Sequence, residues 1–185
     1  MIKIKIMNLP TKIFGPEQYS YNDYKLWEGN WELINGYPYA MSPSPKRGHQ
    51  GFSGKFSRQL GNILEQEKLM CNCEVYYELD WIVNHNTVVR PDCMVVCGDF
   101  KEDFLTFPPQ LILEISSHTT RLRDRNTKYN LYEMYGVKYY IIADCDKNTL
   151  EIFELTDNKY KQTDTKRFNL TSTCSINFDI PSLFD

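Results

Sequence analysis

The stretch QLILEIS, residues 110–116, is the most apolar predicted strand of the chain, and its only charged residue is Glu114. A continuous apolar run is typical of a central strand that is covered on both faces, because a strand with one exposed face would alternate with polar residues. Such a strand requires further layers on both sides. The run therefore predicts a layered domain that places one carboxylate inside its core.

Periodicity along the rest of the chain predicts an α/β (α+β) domain with a mixed central β-sheet flanked by helices, preceded by an N-terminal helix and hairpin. Asn35-Gly36 can supply the positive φ angles of a tight hairpin turn. Helices are expected over residues 21–28, 48–70 and 124–135. Hairpins are expected over residues 31–41 and over 149–155 with 160–167, and further strands over 73–83, 87–97, 110–116, 137–144 and 174–178.

Length and charge narrow the classes of protein that this chain can belong to. Its 185 residues are enough for one domain, expected to span residues 1–185. Lys and Arg total 21 against 24 Asp and Glu, a net charge of −3, so any basic partner-binding surface must be local. No run approaches the ~18 apolar residues of a membrane span, and the N-terminus lacks the apolar segment of a secretory leader. We therefore expect a cytoplasmic protein with no membrane partner.

The six cysteines are expected to be free thiols, because a reducing cytoplasm disfavours disulfides. They are Cys71, Cys73, Cys93, Cys97, Cys145 and Cys174. Their spacings are at the margin of zinc-ligand patterns, so a zinc site is an alternative that the pattern does not favour. A cysteine nucleophile paired with His49 or His118 is a second alternative, although no thiol stands out. The chain has no GxxxxGK[ST], GxGxxG or GxSxG motif, which removes the usual anchors of nucleotide binding and esterase activity.

Two acids lie in segments that are otherwise apolar. Asp92 follows Pro91 within a predicted strand, and Glu114 lies in the middle of the apolar run. A buried ionised carboxylate is costly unless a cation or a proton accompanies it, so the pair indicates a divalent-metal site. Mg²⁺ prefers hard oxygen ligands, and the Ile115 carbonyl could complete the set. The alternative is that each acid pairs with a nearby arginine, such as Arg90, or points outward at a strand end.

Two further residues could join this site. Glu32 is an acid in the otherwise apolar segment WELI and could approach from the first hairpin. The alternative for Glu32 is a solvent-facing position in a period-2 strand. His49 lies at the start of the long helix, where a neutral imidazole could bind water, phosphate or a carboxylate. The alternative for His49 is an ordinary residue at a helix start.

Basic residues follow Glu114 closely, at or just before the start of the third predicted helix. They are Arg121, Arg123, Arg125 and Lys128. If the loop returns the helix over the end of the strand, the Lys128 ammonium can stabilise phosphoryl charge or orient an attacking water beside a metal. The alternative is a solvated helix face on which Asp124 and Lys128 form an ion pair worth only about 0.3–0.5 kcal/mol.

Four ordered segments of the chain carry a family resemblance. They are WELINGYPYAMSPSPKRGHQGFSGKF, VVRPDCMVV, PPQLILEISSHTT and DRNTKYNLYEMYGVKYYIIAD. Together they resemble the Uma2 family of restriction endonucleases, which belongs to the PD-(D/E)xK nuclease superfamily. The resemblance runs from about residue 20 to about residue 155 and implies a restriction-endonuclease-like core with a mixed sheet flanked by helices.

The resemblance assigns roles to the acids. Asp92 matches the aspartate of the PD element, and Glu114 matches the acid of the (D/E)xK element, both of which are metal ligands in active members. The lysine expected two positions after Glu114 is replaced by Ser116, and Lys128 matches the position to which the family displaces its basic residue. Secondary site residues fall in characteristic segments of the family and are Glu32 and His49.

The implied activity is that of a Mg²⁺- or Mn²⁺-dependent endonuclease that hydrolyses phosphodiester bonds in DNA. Asp92, Glu114 and the Ile115 carbonyl would hold the metal, and Lys128 would stabilise transition-state charge. The residues expected to contact the DNA backbone are Arg121, Arg123, Arg125, Lys46 and Arg47. The alternative is a catalytically inactive nuclease-fold protein that acts as a nucleic-acid-binding or interaction module. A homodimer would suit cleavage of both strands of a duplex.

Overall fold

The computed structural model describes residues 17–41 and 44–184. The N-terminal segment and part of the loop over residues 41–46, both considered above, lie outside these ranges. The helices are α1 (Tyr21–Tyr24), α2 (Arg47–Gln66), a π-helical turn (Arg123–Lys128) that continues into α3 (Tyr129–Met134), and a 3₁₀ helix (Ile180–Phe184). The strands are β1 (Trp31–Ile34), β2 (Tyr37–Ala40), β3 (Cys73–Tyr77), β4 (Trp81–Asn84), β5 (Thr87–Val89), β6 (Cys93–Cys97), β7 (Leu111–Ile115), β8 (Tyr139–Asp144), β9 (Thr149–Thr156), β10 (Lys159–Thr163), β11 (Arg167–Asn169) and β12 (Ser175–Asn177).

The central sheet has six strands in the order β10-β9-β8-β7-β6-β3. Strands β7 and β8 are parallel, and the other neighbouring pairs are antiparallel, so the predicted mixed sheet is confirmed. All five residues of β7 are buried. Leu111 and Leu113 pack with α2 on one face, whereas Ile112 packs with α3 on the other. The apolar run is therefore a central strand covered on both faces, as predicted.

The two long strands predicted over residues 73–83 and 87–97 are each divided in the structure. Strand β3 pairs with β6 in the central sheet, whereas β4 pairs with β5 in a second, four-stranded sheet of order β2-β1-β5-β4. The first break includes Glu78, whose φ angle is +51°. The second break contains Arg90 and Pro91, because proline cannot donate to a strand ladder. Asp92 consequently lies just before β6, between the two sheets, and the prediction that it lies within a strand is wrong.

The helices occur in the predicted order, and α1 and α2 end earlier than predicted. Phe52, Phe56, Leu60 and Leu64 form the buried face of α2, which ends at Gln66 instead of about residue 70. Helix α1 ends at Tyr24 rather than residue 28, and β11 and β12 form a separate two-stranded sheet that was not predicted. No helix within the described ranges is both long enough and apolar enough to cross a membrane.

Four cysteines form disulfides, so the prediction of six free thiols is wrong for them. The pairs are Cys71 with Cys174 and Cys73 with Cys97, and Cys93 and Cys145 remain free. Cys73 and Cys97 lie directly opposite each other in the antiparallel register of β3 and β6. Cys71 and Cys174 are 103 residues apart, a pairing that only the tertiary fold brings about.

Candidate active site

Lys128 joins two buried carboxylates that come from different parts of the fold. Its Nζ lies 2.7 Å from Glu32 Oε1 and 2.8 Å from Glu114 Oε1. Glu32 belongs to β1 in the four-stranded sheet, Glu114 to β7 in the central sheet, and Lys128 to the π-helical turn. The lysine side chain is only 3% exposed. The solvent-facing alternatives considered for Glu32 and Lys128 are therefore wrong.

The Glu114 carboxyl is held in a fixed orientation. Lys128 Nζ donates to Oε1 at 2.8 Å, and the buried Tyr132 hydroxyl donates to the same oxygen at 2.7 Å. Neither bond occupies Oε2. Burial raises the pKa of Glu114 to about 8, and the Lys128 ammonium offsets part of that rise. Glu114 consequently presents one oxygen that these donors leave available, and its proton affinity is unusually high for a carboxyl.

The Lys128 ammonium stays charged despite its burial. Desolvation lowers the pKa of a buried lysine, but the charges of Glu114, Glu32 and Asp124 outweigh it and raise the pKa of Lys128 above its usual value. The site therefore contains a permanent cation whose position is fixed by two carboxylates.

Asp92 is anchored to the strand that carries Glu114. Its Oδ2 accepts a hydrogen bond of 2.6 Å from the Ile115 backbone N–H, and its Oδ1 lies 3.1 Å from His49 Nε2. Burial lowers the pKa of His49, but the Asp92 hydrogen bond and charge reverse the effect and leave that pKa raised. His49 Nδ1 is buried without a hydrogen-bond partner among the described residues. The predicted approach of His49 to a carboxylate is thus present in the fold.

Glu32 has two differently engaged oxygens. Its Oε1 accepts from the Arg90 backbone N–H at 3.0 Å, in addition to the Lys128 contact. Its Oε2 is buried with no hydrogen-bond partner within the described chain, and the nearest guanidinium nitrogen, from Arg123, is 3.8 Å away. Arg123 also lies over the Tyr39 ring at 5.3 Å. The side chain of Arg90 itself pairs with Asp80, at 2.6 Å, rather than with either site acid.

The five basic residues expected at a DNA backbone differ in their surroundings. Four of them form ion pairs within the protein: Arg121 with Asp144 at 2.8 Å, Arg123 with Glu32, Arg125 with Glu151, and Lys46 with Asp146. Lys46 is highly exposed and lies 3.4 Å from the exposed Asp146, and Arg47 is exposed at the start of α2. Lys46 and Arg47 are therefore the more accessible members of this group.

Sequence reasoning missed two residues that complete the cluster, Asp124 and Tyr132. Asp124 is buried, and burial raises its pKa. The spacing of four residues from Asp124 to Lys128 and from Lys128 to Tyr132 was the available signal, because residues four apart share one helix face. Asp124 and Lys128 both lie in the π-helical turn, and π-helical turns are frequent at functional sites.

An open cavity of about 370 Å³ brings most of the predicted residues together. Its lining includes Glu32, Lys46, His49, Asp92, Glu114, Ile115, Arg123 and Lys128. Arg47, Arg121 and Arg125 are not part of that lining. Ser116 and His118 also line the cavity, so the serine that replaces the motif lysine lies beside the acids.

The donor set at this cavity fits a hard divalent cation in its chemistry. Asp92 and Glu114 supply carboxylate oxygens, which Mg²⁺ and Mn²⁺ prefer. In residues 17–41 and 44–184 of this structure, no group of three or more His, Cys, Asp or Glu side chains is arranged to hold a metal ion. Asp92 and Glu114 are only two such side chains, so a backbone carbonyl and substrate oxygens would have to complete the coordination of a metal here. The Ile115 amide contacts Asp92, and the predicted role of its carbonyl stays a prediction.

Comparisons with known proteins identify the fold and the family of the chain. A solved structure described as a putative nuclease belonging to DUF820 from Anabaena variabilis superposes with a TM-score of 0.69 at 14% sequence identity. The match covers 90% of this chain and 97% of the other, which confirms the fold class. No curated protein sequence matches the chain. Residues 21–179 match the Uma2 family, described as putative restriction endonuclease. Because that match covers well over half of its length, the chain belongs to the Uma2 family and has the fold of a nuclease.

Proposed function

We propose that this protein is a Mg²⁺- or Mn²⁺-dependent endonuclease that hydrolyses phosphodiester bonds in DNA. The observation that carries the proposal is the Glu32–Lys128–Glu114 cluster beside Asp92 in an open cavity. A buried, permanently charged ammonium next to two acids is costly for stability. Its presence at a cavity in a nuclease fold favours a role in chemistry over a role in packing.

Asp92, Glu114 and the Ile115 carbonyl would hold the metal. When bound, the metal would lower the pKa of a coordinated water and polarise the scissile phosphate. The Ile115 N–H positions Asp92 by a 2.6 Å hydrogen bond, so the backbone of β7 orients both acids. Ionisation of Glu114, favoured by a bound cation, would also strengthen its pairing with Lys128.

Lys128 would stabilise the negative charge that develops on the phosphate. Its ammonium is preorganised by Glu32 and Glu114, so little reorganisation is needed during the reaction. Glu32 acts through Lys128 and is a positioning residue in this scheme. His49 would hold Asp92 Oδ1 in place through Nε2, and a charged imidazole there could also face a phosphate.

Lys46 and Arg47 are the basic residues best placed to meet a DNA backbone, because Lys46 lines the cavity and both are exposed. Arg121, Arg123 and Arg125 would contact DNA only by exchanging or sharing their present carboxylate partners. Contacts to phosphates make binding fall steeply with salt concentration, even for a protein with a net charge of −3.

A second candidate is a nuclease-fold protein that binds nucleic acid without cleaving it. Ser116 favours it, because a serine lies at the cavity where the motif lysine is expected. The contacts of Asp92 also favour this second candidate, because one of its oxygens is already engaged by His49 Nε2 and the other by the Ile115 amide.

Cleavage assays separate the two candidates. Supercoiled, linear and single-stranded DNA are incubated with Mg²⁺ or Mn²⁺ and with wild type, Asp92→Ala or Asp103→Ala. Asp103 is an exposed aspartate outside the cavity and serves as the matched control. The nuclease proposal expects metal-dependent cleavage by wild type and Asp103→Ala and its loss in Asp92→Ala. Equal residual cleavage by all three would indicate a contaminating nuclease, and DNA binding without cleavage would support the second candidate.

A further inference from the structure

Four cysteine sulfurs meet at a place separate from the candidate active site. Cys97 ends β6, whereas Asp92 precedes its first residue, so the cysteines and the acid lie at opposite ends of that strand. Cys73 begins β3, Cys71 lies just before it, and Cys174 lies between β11 and β12. We call Cys71, Cys73, Cys97 and Cys174 the four-cysteine cluster.

The two disulfides of the cluster are in contact with each other. Besides the bonds Cys71–Cys174 and Cys73–Cys97, the sulfurs of Cys73 and Cys174 lie 3.8 Å apart. Four thiolates bound tetrahedrally to Zn²⁺ at about 2.3 Å are separated from one another by about 3.8 Å. The Cys73 and Cys174 sulfurs, one from each disulfide, are therefore already as close to each other as two sulfurs that share one zinc ion.

The backbone around the four-cysteine cluster holds its cysteines close to one another. Cys73 and Cys97 are opposite each other in the register of β3 and β6. A turn holds Cys174, because the Thr171 N–H donates to the Cys174 carbonyl at 3.2 Å and the Cys174 N–H donates to Thr171 Oγ1 at 3.0 Å. Cys71, Cys73 and Cys174 are buried. Four sulfurs from three chain segments, with Cys97 partly buried, have the composition of a structural zinc site.

We propose that in the reduced chain the four-cysteine cluster binds one Zn²⁺. Thiolates select soft or borderline metals, and four of them fill the tetrahedral coordination of zinc without a position for substrate. The role of this ion is structural: it ties the β11–β12 sheet, through Cys174, to the edge strand β3. The site is independent of the nuclease proposal, because it shares no residue with the cavity at Asp92.

The zinc-bound and disulfide forms are linked by a balanced oxidation. Conversion of four zinc-bound thiolates into two disulfides releases Zn²⁺ and four electrons. Two molecules of a peroxide-class oxidant accept these electrons and, with four protons, become four molecules of water when the peroxide is H₂O₂. The disulfides of the structure are the oxidised state of the cluster, and a reducing environment favours the zinc-bound state.

Metal analysis of the intact chain tests this proposal. Protein purified anaerobically with a reductant is equilibrated with Zn²⁺, freed of excess metal, and analysed for zinc per chain. Wild type is expected to retain one zinc per chain, and Cys174→Ser is expected to lose most of it. The matched control is Cys145→Ser, because Cys145 is a free cysteine outside the cluster and its replacement leaves all four ligands in place.

Thiol labelling of the unmutated chain removes the concern that Cys174→Ser simply fails to fold. In reduced wild type, one equivalent of zinc is expected to protect the cysteines of the cluster from iodoacetamide and to leave Cys145, which lines the separate cavity at Asp92, open to labelling. Peptide mass spectrometry locates the protected residues. Absence of zinc from reduced wild type, iron in its place, equal zinc in Cys174→Ser, or protection of a different set of cysteines would each overturn the proposal.

Discussion

At the scale of single residues, the Lys128 ammonium connects the two buried acids of the candidate site. Lys128 lies within 2.8 Å of both Glu32 and Glu114, and all three side chains are buried. Removing one member of such a group leaves uncompensated charge in the core, which is more damaging than replacing the whole group by apolar residues. Side-chain identity at these positions therefore affects both activity and stability.

Lys128→Met tests the contribution of the ammonium. It keeps most of the side-chain volume but leaves Glu32 as a buried charge without its ammonium partner and removes one of the two donors to Glu114, so the free energy of unfolding is expected to fall by about 3–5 kcal/mol, with loss of cleavage. Urea denaturation in EDTA measures the change, and Lys101→Met at an exposed site is the control. Adding Glu32→Gln should restore part of the stability but none of the cleavage. A loss below about 1 kcal/mol would contradict the buried ion pairs.

Tyr132→Phe separates positioning from folding. The hydroxyl donates to Glu114 Oε1 at 2.7 Å, so its removal is expected to cost about 1 kcal/mol of stability and to reduce the cleavage rate. Tyr160→Phe is the matched control, because its buried hydroxyl donates to the Val137 carbonyl away from the site. Both variants should lose similar stability, and only Tyr132→Phe should lose cleavage. Equal cleavage by the two variants would remove Tyr132 from the positioning of Glu114.

The raised pKa of Glu114 predicts a pH-dependent stability in the absence of metal. Between about pH 4.5 and 8 the unfolded carboxyl is ionised, whereas the folded one still holds its proton, so the folded state loses stability as pH rises. Glu114→Gln carries no such proton. Its stability relative to wild type should therefore rise across this window by roughly 1 kcal/mol per pH unit and level off above pH 8. A constant difference over these pH values, measured by urea denaturation in EDTA, would show that the pKa is not raised.

At the scale of elements, the candidate site depends on where strands end. Glu32 is positioned by the β1–β2 hairpin, which the sequence predicted from Asn35-Gly36, and its partners come from β7 and the π-helical turn. The Asn35-Gly36 turn could be predicted because few residue types other than Gly and Asn adopt positive φ angles. Pro91 is a local signal for the second break, but the pairing of β3 and β6 in one sheet and of β4 and β5 in another was not readable, since it depends on contacts between distant parts of the chain. Asp92 was named as a site candidate from the sequence alone, whereas its location at this break depends on long-range pairing.

Two glycine substitutions test how far the hairpin turn controls the position of β1. Gly36 has a φ angle of +83°, and an added Cβ would lie 3.3 Å from the Tyr19 carbonyl oxygen, so Gly36→Ala should destabilise the fold by about 1–2 kcal/mol. Gly61 lies within α2 with open space around an added Cβ, so Gly61→Ala should instead stabilise it by about 0.5–1 kcal/mol. Thermal unfolding measures both. Equal effects of the two substitutions would contradict the turn geometry.

At the scale of the whole molecule, the order of elements and the mixed sheet followed from local patterns. The apolar run over residues 110–116 fixed its own place in the sheet, because only a strand covered on both faces can bury side chains alternately in both core layers. The cysteine pairing could not be predicted, since Cys71 and Cys174 are joined only by tertiary folding. The same holds for the buried state of Glu32 and Lys128, whose partners lie on separate elements. Long-range contacts thus bring together candidate residues that the sequence had named one by one.

The central claim is that Asp92 and Glu114 support metal-dependent phosphodiester hydrolysis. Its most direct test is the single-turnover rate of DNA cleavage as a function of Mn²⁺ concentration, for wild type, Glu114→Ala and the exposed control Glu102→Ala. We expect wild type and Glu102→Ala to show the same saturable metal dependence, and Glu114→Ala to lose cleavage at every Mn²⁺ concentration. Cleavage by Glu114→Ala at the wild-type rate and with the wild-type metal dependence would contradict the assignment of this site.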